Sequence, residues 1–156
     1  MTDERIGDAL FLALLALPPG AGVVFRHYRL PAAERHRLFL RVRRLAKARR
    51  LRFSAARVTG TIGHGGRVAL TYPAHDRCEA IAGVRAGATW LFVSPLYATR
   101  SHPGAEGLGV RKAVPITRGL PVKTIALGGM TASRWLKLRR HGFDGWAAID
   151  GLIPAR

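Results

Sequence analysis

Apolar residues along the chain recur with two alternating spacings, and the alternation predicts repeated strand–helix units. Short apolar runs, such as the nearly continuous run 90–94, are typical of strands buried in a parallel sheet. Between the runs, apolar residues return every three or four positions, as Leu38, Val42 and Leu45 do, which indicates helices with one buried face. This order predicts an α/β fold whose parallel sheet, with outer helices, is either doubly wound or closed as a barrel. The predicted strands are 22–28, 51–62, 67–72, 90–94, 122–127 and 145–149, and the predicted helices are 6–17, 31–50, 76–86, 110–118 and 131–141.

The composition is typical of one folded domain. The chain has 156 residues, of which 48% are hydrophobic, so a core can form and we expect a single domain over residues 1–156. One cysteine, Cys78, excludes an intramolecular disulfide framework and a cysteine-built zinc site. The longest apolar run, 9–19, is about half as long as a membrane-spanning helix and follows an acidic opening. We therefore expect a cytoplasmic protein that has no membrane partner.

Positive charge is in large excess and is concentrated in one part of the chain. The sequence has 26 Lys and Arg against 9 Asp and Glu, a formal net charge of +17. Half of the cations lie within 21–67, and no acidic residue occurs between Arg35 and His75. Such a segment is typical of a surface that binds nucleic acid or another polyanion. One hypothesis is therefore a basic binding module that uses Arg26–Arg67, and the alternative is a solvated basic face without a partner.

The candidate chemistry lies in the loops that follow predicted strands. Ligands of parallel α/β folds bind at the carboxyl ends of the strands. A pair of glycines between a strand and a helix lets backbone N–H groups approach an anion closely. The Gly63-His64-Gly65-Gly66 string is interpreted as a turn, with a glycine nest for an anion as the alternative. The candidate residues are Arg26, His27, His75, then Thr99, Ser101 and His102 in one long polar loop, and Gly128 and Gly129.

Several of these strings occur in an order that is typical of one family of barrels. Residues 94–102 read Ser-Pro-Leu-Tyr-Ala-Thr-Arg-Ser-His, residues 126–130 read Ala-Leu-Gly-Gly-Met, and residues 143–150 read Phe-Asp-Gly-Trp-Ala-Ala-Ile-Asp. They resemble the Gly-Pro-Ile-Phe-x-Thr-x-Thr-Lys loop, the Gly-Gly-Ile turn and the closing Ala-Asp-Gly-Val-Ala-Val-Ile-Ser strand of the thiamine phosphate synthase/TenI family. The resemblance is good over 67–152, weaker over 1–50 and poor over 51–66.

The resemblance implies a (β/α)8 barrel of the TIM type and a phosphorylated small molecule as partner. Members of the family join a hydroxymethylpyrimidine diphosphate to a thiazole phosphate, whereas TenI-like relatives tautomerise a thiazole. By resemblance, Arg26 faces the diphosphate, and Thr99 and Ser101 line the region of the thiazole phosphate. The N–H groups of Gly128 and Gly129 would hold that phosphate.

The chain departs from the family in its length and in its metal ligands. A complete barrel needs about 200 residues, so we expect only five or six strands, with the N-terminal strand and a central βα region, residues 51–66, missing or compressed. The family uses Mg²⁺ on the diphosphate, and a hard cation needs carboxylate oxygens that Arg35 to His75 do not supply. We therefore identify no metal ligands and expect a member that is impaired as a synthase.

Three alternatives follow for function. The first is a barrel that binds a phosphorylated thiazole or pyrimidine, with His27, His75 and His102 as candidates for metal-free acid–base catalysis. The second is the basic binding module. The third is an inactive degenerate barrel, whose open sheet edges would pair between chains and give a homo-oligomer.

Overall fold

A computed structural model shows alternating parallel strands and helices, and it describes residues 1–58, 63–65, 70–99, 104 and 106–149. The strands are β1 (Gly22–Phe25), β2 (Arg52–Ala55), β3 (Thr71–Ala74), β4 (Trp90–Val93), β5 (Lys123–Ala126) and β6 (Gly145–Trp146). The helices are α1 (Ala9–Leu15), α2 (Ala32–Ala48), α3 (Arg77–Arg85), α4 (Gly109–Thr117) and α5 (Ala132–Leu138). Short 3₁₀ turns occupy Glu4–Ile6 and Arg139–His141. None of the helices in these ranges is long and apolar enough to cross a membrane.

The strands form two parallel groups that short backbone contacts join into a ring. Strand β1 pairs with β2, and β3 to β6 form a second sheet in chain order. Gly63 pairs with Ala55 at the end of β2 and His64 pairs with Thr71 of β3, so these two residues stand between the two sheets. On the other side, the first two residues of the chain lie between β1 and the segment that follows β6. The Met1 nitrogen donates to the Ala148 oxygen, and the Thr2 N–H donates to the Val24 oxygen of β1.

This ring is the barrel-type parallel sheet that was expected, and the six strands within the described residues agree with the expected five or six. Our interpretation of 63–66 as a turn is wrong for Gly63 and His64, which bridge two strands. The prediction failed because a two-residue bridge is too short to show any periodicity. Open sheet edges were expected to pair between chains. Gly63 and His64 instead pair with the edge strands β2 and β3 of the same chain. The homo-oligomer stays a prediction.

Alternation along the strands separates the barrel interior from the helix-facing layer. Val23 and Phe25 pack outward against the helix residues Phe39 and Val42, whereas Val24 between them faces the interior. The interior cluster consists of Val24, Phe92 and Ile125. Burial on both faces explains why these strands read as continuous apolar runs.

Helix boundaries follow the local sequence signals. Helix α3 is capped by the Asp76 carboxylate, which accepts from Glu79 N–H at 2.8 Å, and it ends before Gly87, whose φ is +84°. The predicted helix 6–17 is wrong at its start: Gly7, with φ +54°, separates a 3₁₀ turn from α1.

Strand β3 ends two residues beyond the predicted strand 67–72, and Pro73 lies within it. The Ala74 oxygen accepts from Ser94 N–H on the β4 side. The Pro73 nitrogen therefore faces the opposite side, where pairing among the described residues ends at Thr71, and its missing N–H removes no ladder bond to any of them. Residues 67–69 of the predicted strand lie outside the described residues.

Candidate functional site

A cavity of about 1210 Å³ opens where the strands end. This is the position at which parallel barrels bind their ligands. The loops after β1 to β5 and the residues following β6 all contribute to its lining. Its lining includes Arg26, Arg29, Arg57, His64, His75, Thr99, Gly128, Gly129 and Arg134.

The loop after β5 is a tight glycine turn in the wall of this cavity. Gly128 and Gly129 have φ values of +92° and +61°, a region that side chains disfavour. A Cβ on Gly128 would lie 2.8 Å from Cα of Pro95, and one on Gly129 would lie 2.6 Å from the oxygen of Ala98. Within the described residues, neither glycine N–H donates a hydrogen bond, although the Gly128 oxygen accepts from Tyr97 at 3.1 Å. Two backbone donors are therefore left for a ligand or water.

Five arginines line the cavity, and aromatic rings or carbonyl groups hold three of them. The guanidinium carbons of Arg26 and Arg57 lie 5.4 and 5.1 Å from the ring centre of Tyr28. Arg134 lies 4.6 Å from the ring centre of Tyr97 and donates to the Gly129 oxygen. The other two are Arg29 and Arg5, and Arg5 forms an ion pair with Asp3. Because positive charge gathers here against few carboxylates, the mouth favours an anion.

Arg35 connects the loop after β1 to the loop after β2 through hydrogen bonds. Its guanidinium donates to the carbonyl oxygens of His27, Ala56 and Arg57. Arg57 itself has a φ of +54°, an uncommon conformation for a side-chain residue. Arg35, one of the cations of the basic segment, therefore positions part of the cavity wall. The charge pattern of the sequence alone did not indicate this role.

The carboxylates at the cavity do not fit a magnesium site. Asp3 and Glu4 are its acidic lining residues in the described ranges. Burial alone would raise the pKa of Asp3, but hydrogen bonds from the Arg5 side chain and backbone hold that pKa below its usual value. Glu4 accepts from Arg29 N–H at 2.7 Å. Both carboxylates are engaged, and no group of three metal-ligating side chains occurs among the described residues.

His64 lies buried at the base of the cavity at the end of a row of hydroxyl groups. Its Nδ1 is 2.8 Å from Oγ1 of Thr71, which in turn is 3.3 Å from Oγ of Ser54. The imidazole and the ring of Phe92 pack edge to face at a centroid distance of 5.6 Å. Burial, and then the nearby charge of Arg26, lower the pKa of His64 to about 4. The imidazole is therefore uncharged at neutral pH.

The three histidines proposed for acid–base chemistry are placed differently. His75 lines the cavity and pairs with Glu79 at 2.7 Å. His27 does not line it: its ring stacks on Phe25, and its Nδ1 is 3.0 Å from the Thr2 hydroxyl. Burial lowers the pKa of His27, against the opposing charges of nearby carboxylates. His102 lies outside the described residues, so a shared catalytic role stays a prediction.

Among the binding candidates, the structure brings together Arg26, Thr99, Gly128 and Gly129 in one cavity. Ser101 lies outside the described residues. The lining residues that were not among the candidates from the sequence include Arg29, Arg57, His64 and Arg134. The sequence could have indicated Arg134, because it lies three residues after Thr131, the N-cap of α5, and close to the glycine turn.

The ring of strands and its cavity define a barrel of the TIM type with a site at the carboxyl ends of its strands. Residues 52–152 match the family model described as thiamine monophosphate synthase, and the chain belongs to this family. The resemblance noted in the sequence and the expected fold class are both confirmed.

Relatives of known function match only part of this chain. A thiamine-phosphate synthase from Chloroflexus aurantiacus is 31% identical over 91 residues, which are 58% of this chain and 42% of that protein. One from Geobacillus thermodenitrificans is 33% identical over 89 residues, 55% of this chain and 40% of that protein. The matched region thus spans less than half the length of these relatives.

A solved structure matches nearly the whole chain. The thiamine phosphate pyrophosphorylase from Pyrococcus furiosus superimposes with a TM-score of 0.80, covering 99% of this chain and 86% of that one. At 16% sequence identity, this likeness shows the fold alone.

Proposed function

We propose that the cavity binds a phosphorylated thiazole or pyrimidine of thiamine biosynthesis. The observation that carries the proposal is the Gly128–Gly129 turn, whose N–H groups have no acceptor in the described part of the chain and line a cavity edged by arginines. Backbone donors on a glycine turn suit phosphate oxygens, and guanidinium groups add charge-assisted bonds. Relatives of this family are named as thiamine-phosphate synthases, which supports the class of ligand.

The proposed function does not include the metal-dependent synthase reaction. Displacing a diphosphate needs its negative charge to be neutralised, which in this family is the role of Mg²⁺. Here Asp3 is paired with Arg5 and Glu4 with a backbone N–H, so the described lining offers no free carboxylate pair. The arginines would instead neutralise a monophosphate without a metal.

Thermal unfolding with defined ligands tests the proposal. The probes are thiazole phosphate, thiamine phosphate, and the pyrimidine diphosphate with Mg²⁺. At a hundred times its dissociation constant, a ligand adds about 2.7 kcal/mol of stability, which raises Tm by several degrees. We expect thiazole phosphate or thiamine phosphate to stabilise the protein. The proposal would be contradicted if neither compound raised Tm. The metal-free account would be contradicted if the pyrimidine diphosphate raised Tm only in the presence of Mg²⁺.

A pair of variants locates the binding. Arg26→Gln removes a cation from the rim, and we expect it to weaken thiamine phosphate binding about tenfold, the value of a charge-assisted hydrogen bond. Arg139→Gln removes the same charge from the 3₁₀ turn after α5, away from the cavity. Equal weakening by both variants would mean that net charge alone, and not this site, attracts the ligand.

Helix α2 supports a second candidate, binding of a polyanion such as nucleic acid. Its outer side is strongly basic, and Glu34 is its one carboxylate. Its exposed cations are Arg37, Arg41, Arg43, Arg44 and Lys47.

Duplex binding at about 50 and 200 mM salt tests this candidate, because phosphate contacts make such binding steeply salt-dependent. The double change Arg37→Gln and Arg44→Gln should weaken it. The matched change Arg111→Gln and Lys112→Gln, on α4, should leave it nearly unchanged. Salt-independent retention would count against the candidate.

A further inference from the structure

The base of the cavity differs chemically from its mouth. The mouth is edged by arginines, whereas the interior cluster beneath it is apolar and consists of Val24, Phe92 and Ile125. His64 is the polar side chain that meets this cluster from the cavity lining, with an exposed fraction of 8%. An uncharged polar group in apolar surroundings suits an uncharged polar atom of a ligand better than a phosphate.

The hydroxyl groups behind His64 determine which of its nitrogens carries the proton. The Thr71 hydroxyl lies between the Ser54 hydroxyl and Nδ1 of His64. If Ser54 donates to Thr71, the buried Thr71 proton has Nδ1 as its acceptor within the described residues, and the ring proton sits on Nε2. In the opposite direction the buried Ser54 proton would have no acceptor among the described residues, which is costly. The first direction is therefore favoured.

We propose that His64 is a binding residue whose Nε2–H donates to an uncharged acceptor atom on the ring of the bound heterocycle, and that Thr71 and Ser54 are positioning residues that fix this tautomer. The inference rests on the proposed function, because it assigns His64 to the heterocyclic ring of the ligand, at the end opposite to the phosphate. The low pKa of His64 supports it, because the ring then stays a neutral donor at physiological pH.

Nitrogen NMR of the histidine rings tests the tautomer without any ligand. The protonated and unprotonated ring nitrogens of a neutral imidazole resonate far apart, and the spectrum of His64→Gln assigns the His64 signals by their loss. We expect Nε2 to be protonated in the wild-type protein. Thr71→Val, which removes the donor to Nδ1, should abolish the preference, and Thr71→Ser should keep it. A proton on Nδ1 in the wild-type protein would overturn the proposal.

Binding of two probes tests the role toward the ligand. His64→Leu removes the donor, and we expect it to weaken thiamine phosphate about five- to tenfold while leaving inorganic phosphate unchanged. His64→Gln places an amide N–H near the Nε2 position and should restore much of the affinity. Equal binding of thiamine phosphate by wild-type protein and His64→Leu would overturn the inference while leaving the proposed function intact.

Failure of the wild-type protein to bind either probe would be a different result. It would overturn the proposed function, and with it the ligand part of this inference. The nitrogen spectrum would still decide the tautomer. Should His64→Leu fail to fold, the comparison of Ser54→Ala with wild type carries the binding test, because loss of the outer hydroxyl should weaken only thiamine phosphate.

Discussion

The glycine turn after β5 allows a sharp test, because the structure provides a matched control. Gly129→Ala places a side chain at φ +61°, which costs about 1–2 kcal/mol. Its Cβ would also lie 2.6 Å from the oxygen of Ala98 and 2.9 Å from Cβ of Tyr97, so the neighbouring loop must move. Overpacking of this kind adds about 1–3 kcal/mol. We therefore expect a loss of about 2–5 kcal/mol in the free energy of unfolding.

Gly142→Ala is the control for the backbone contribution. Gly142 has a φ of +81°, and no heavy atom lies within 4 Å of the added Cβ. This variant should lose only the backbone cost, about 1–2 kcal/mol. Urea unfolding of both variants measures the difference, provided that their m-values agree. Equal losses would refute the close approach of the two loops. Gly129→Ala should also weaken thiamine phosphate binding, whereas Gly142→Ala should not.

Two further predictions concern stability. Asp76→Ala removes the cap that accepts from Glu79 N–H and should cost about 0.5–2 kcal/mol by urea unfolding, whereas Asp76→Asn should cost less; equal losses would argue against the cap. The pKa of His64 falls from 6.5 to about 4 on folding, so between these pH values the unfolded chain binds more protons and stability decreases as pH falls. The corresponding loss is about 3 kcal/mol, and His64→Gln should remove it from the pH dependence; an unchanged profile would show that folding does not lower the pKa of His64.

The elements that the sequence predicts well are those with local signals at both ends. Helix α3 has its Asp76 cap and Gly87, and β4 is a continuous apolar run between polar loops. The periodic buried row of α2 likewise predicts its position. In each case a local pattern and the tertiary packing favour the same structure.

The parts that the sequence could not predict depend on contacts between distant segments. Gly63 and His64 form single bridges to β2 and β3, and the partners at Ala55 and Thr71 decide their conformation. His64 becomes a site residue only because the hydroxyl of Thr71 and the ring of Phe92 meet it. Arg35 belongs to the basic segment by composition, yet it bonds three carbonyl groups from two loops. Such roles follow from three-dimensional placement alone.

The central claim is that the cavity holds a phosphorylated heterocycle through its glycine turn and arginines without a metal ion. Titration calorimetry of the wild-type protein with thiamine phosphate, with excess Mg²⁺ and then with a chelator, tests it most directly. We predict saturable binding with one site per chain and the same affinity in both conditions. Absence of binding, or binding that the chelator abolishes, would contradict the account.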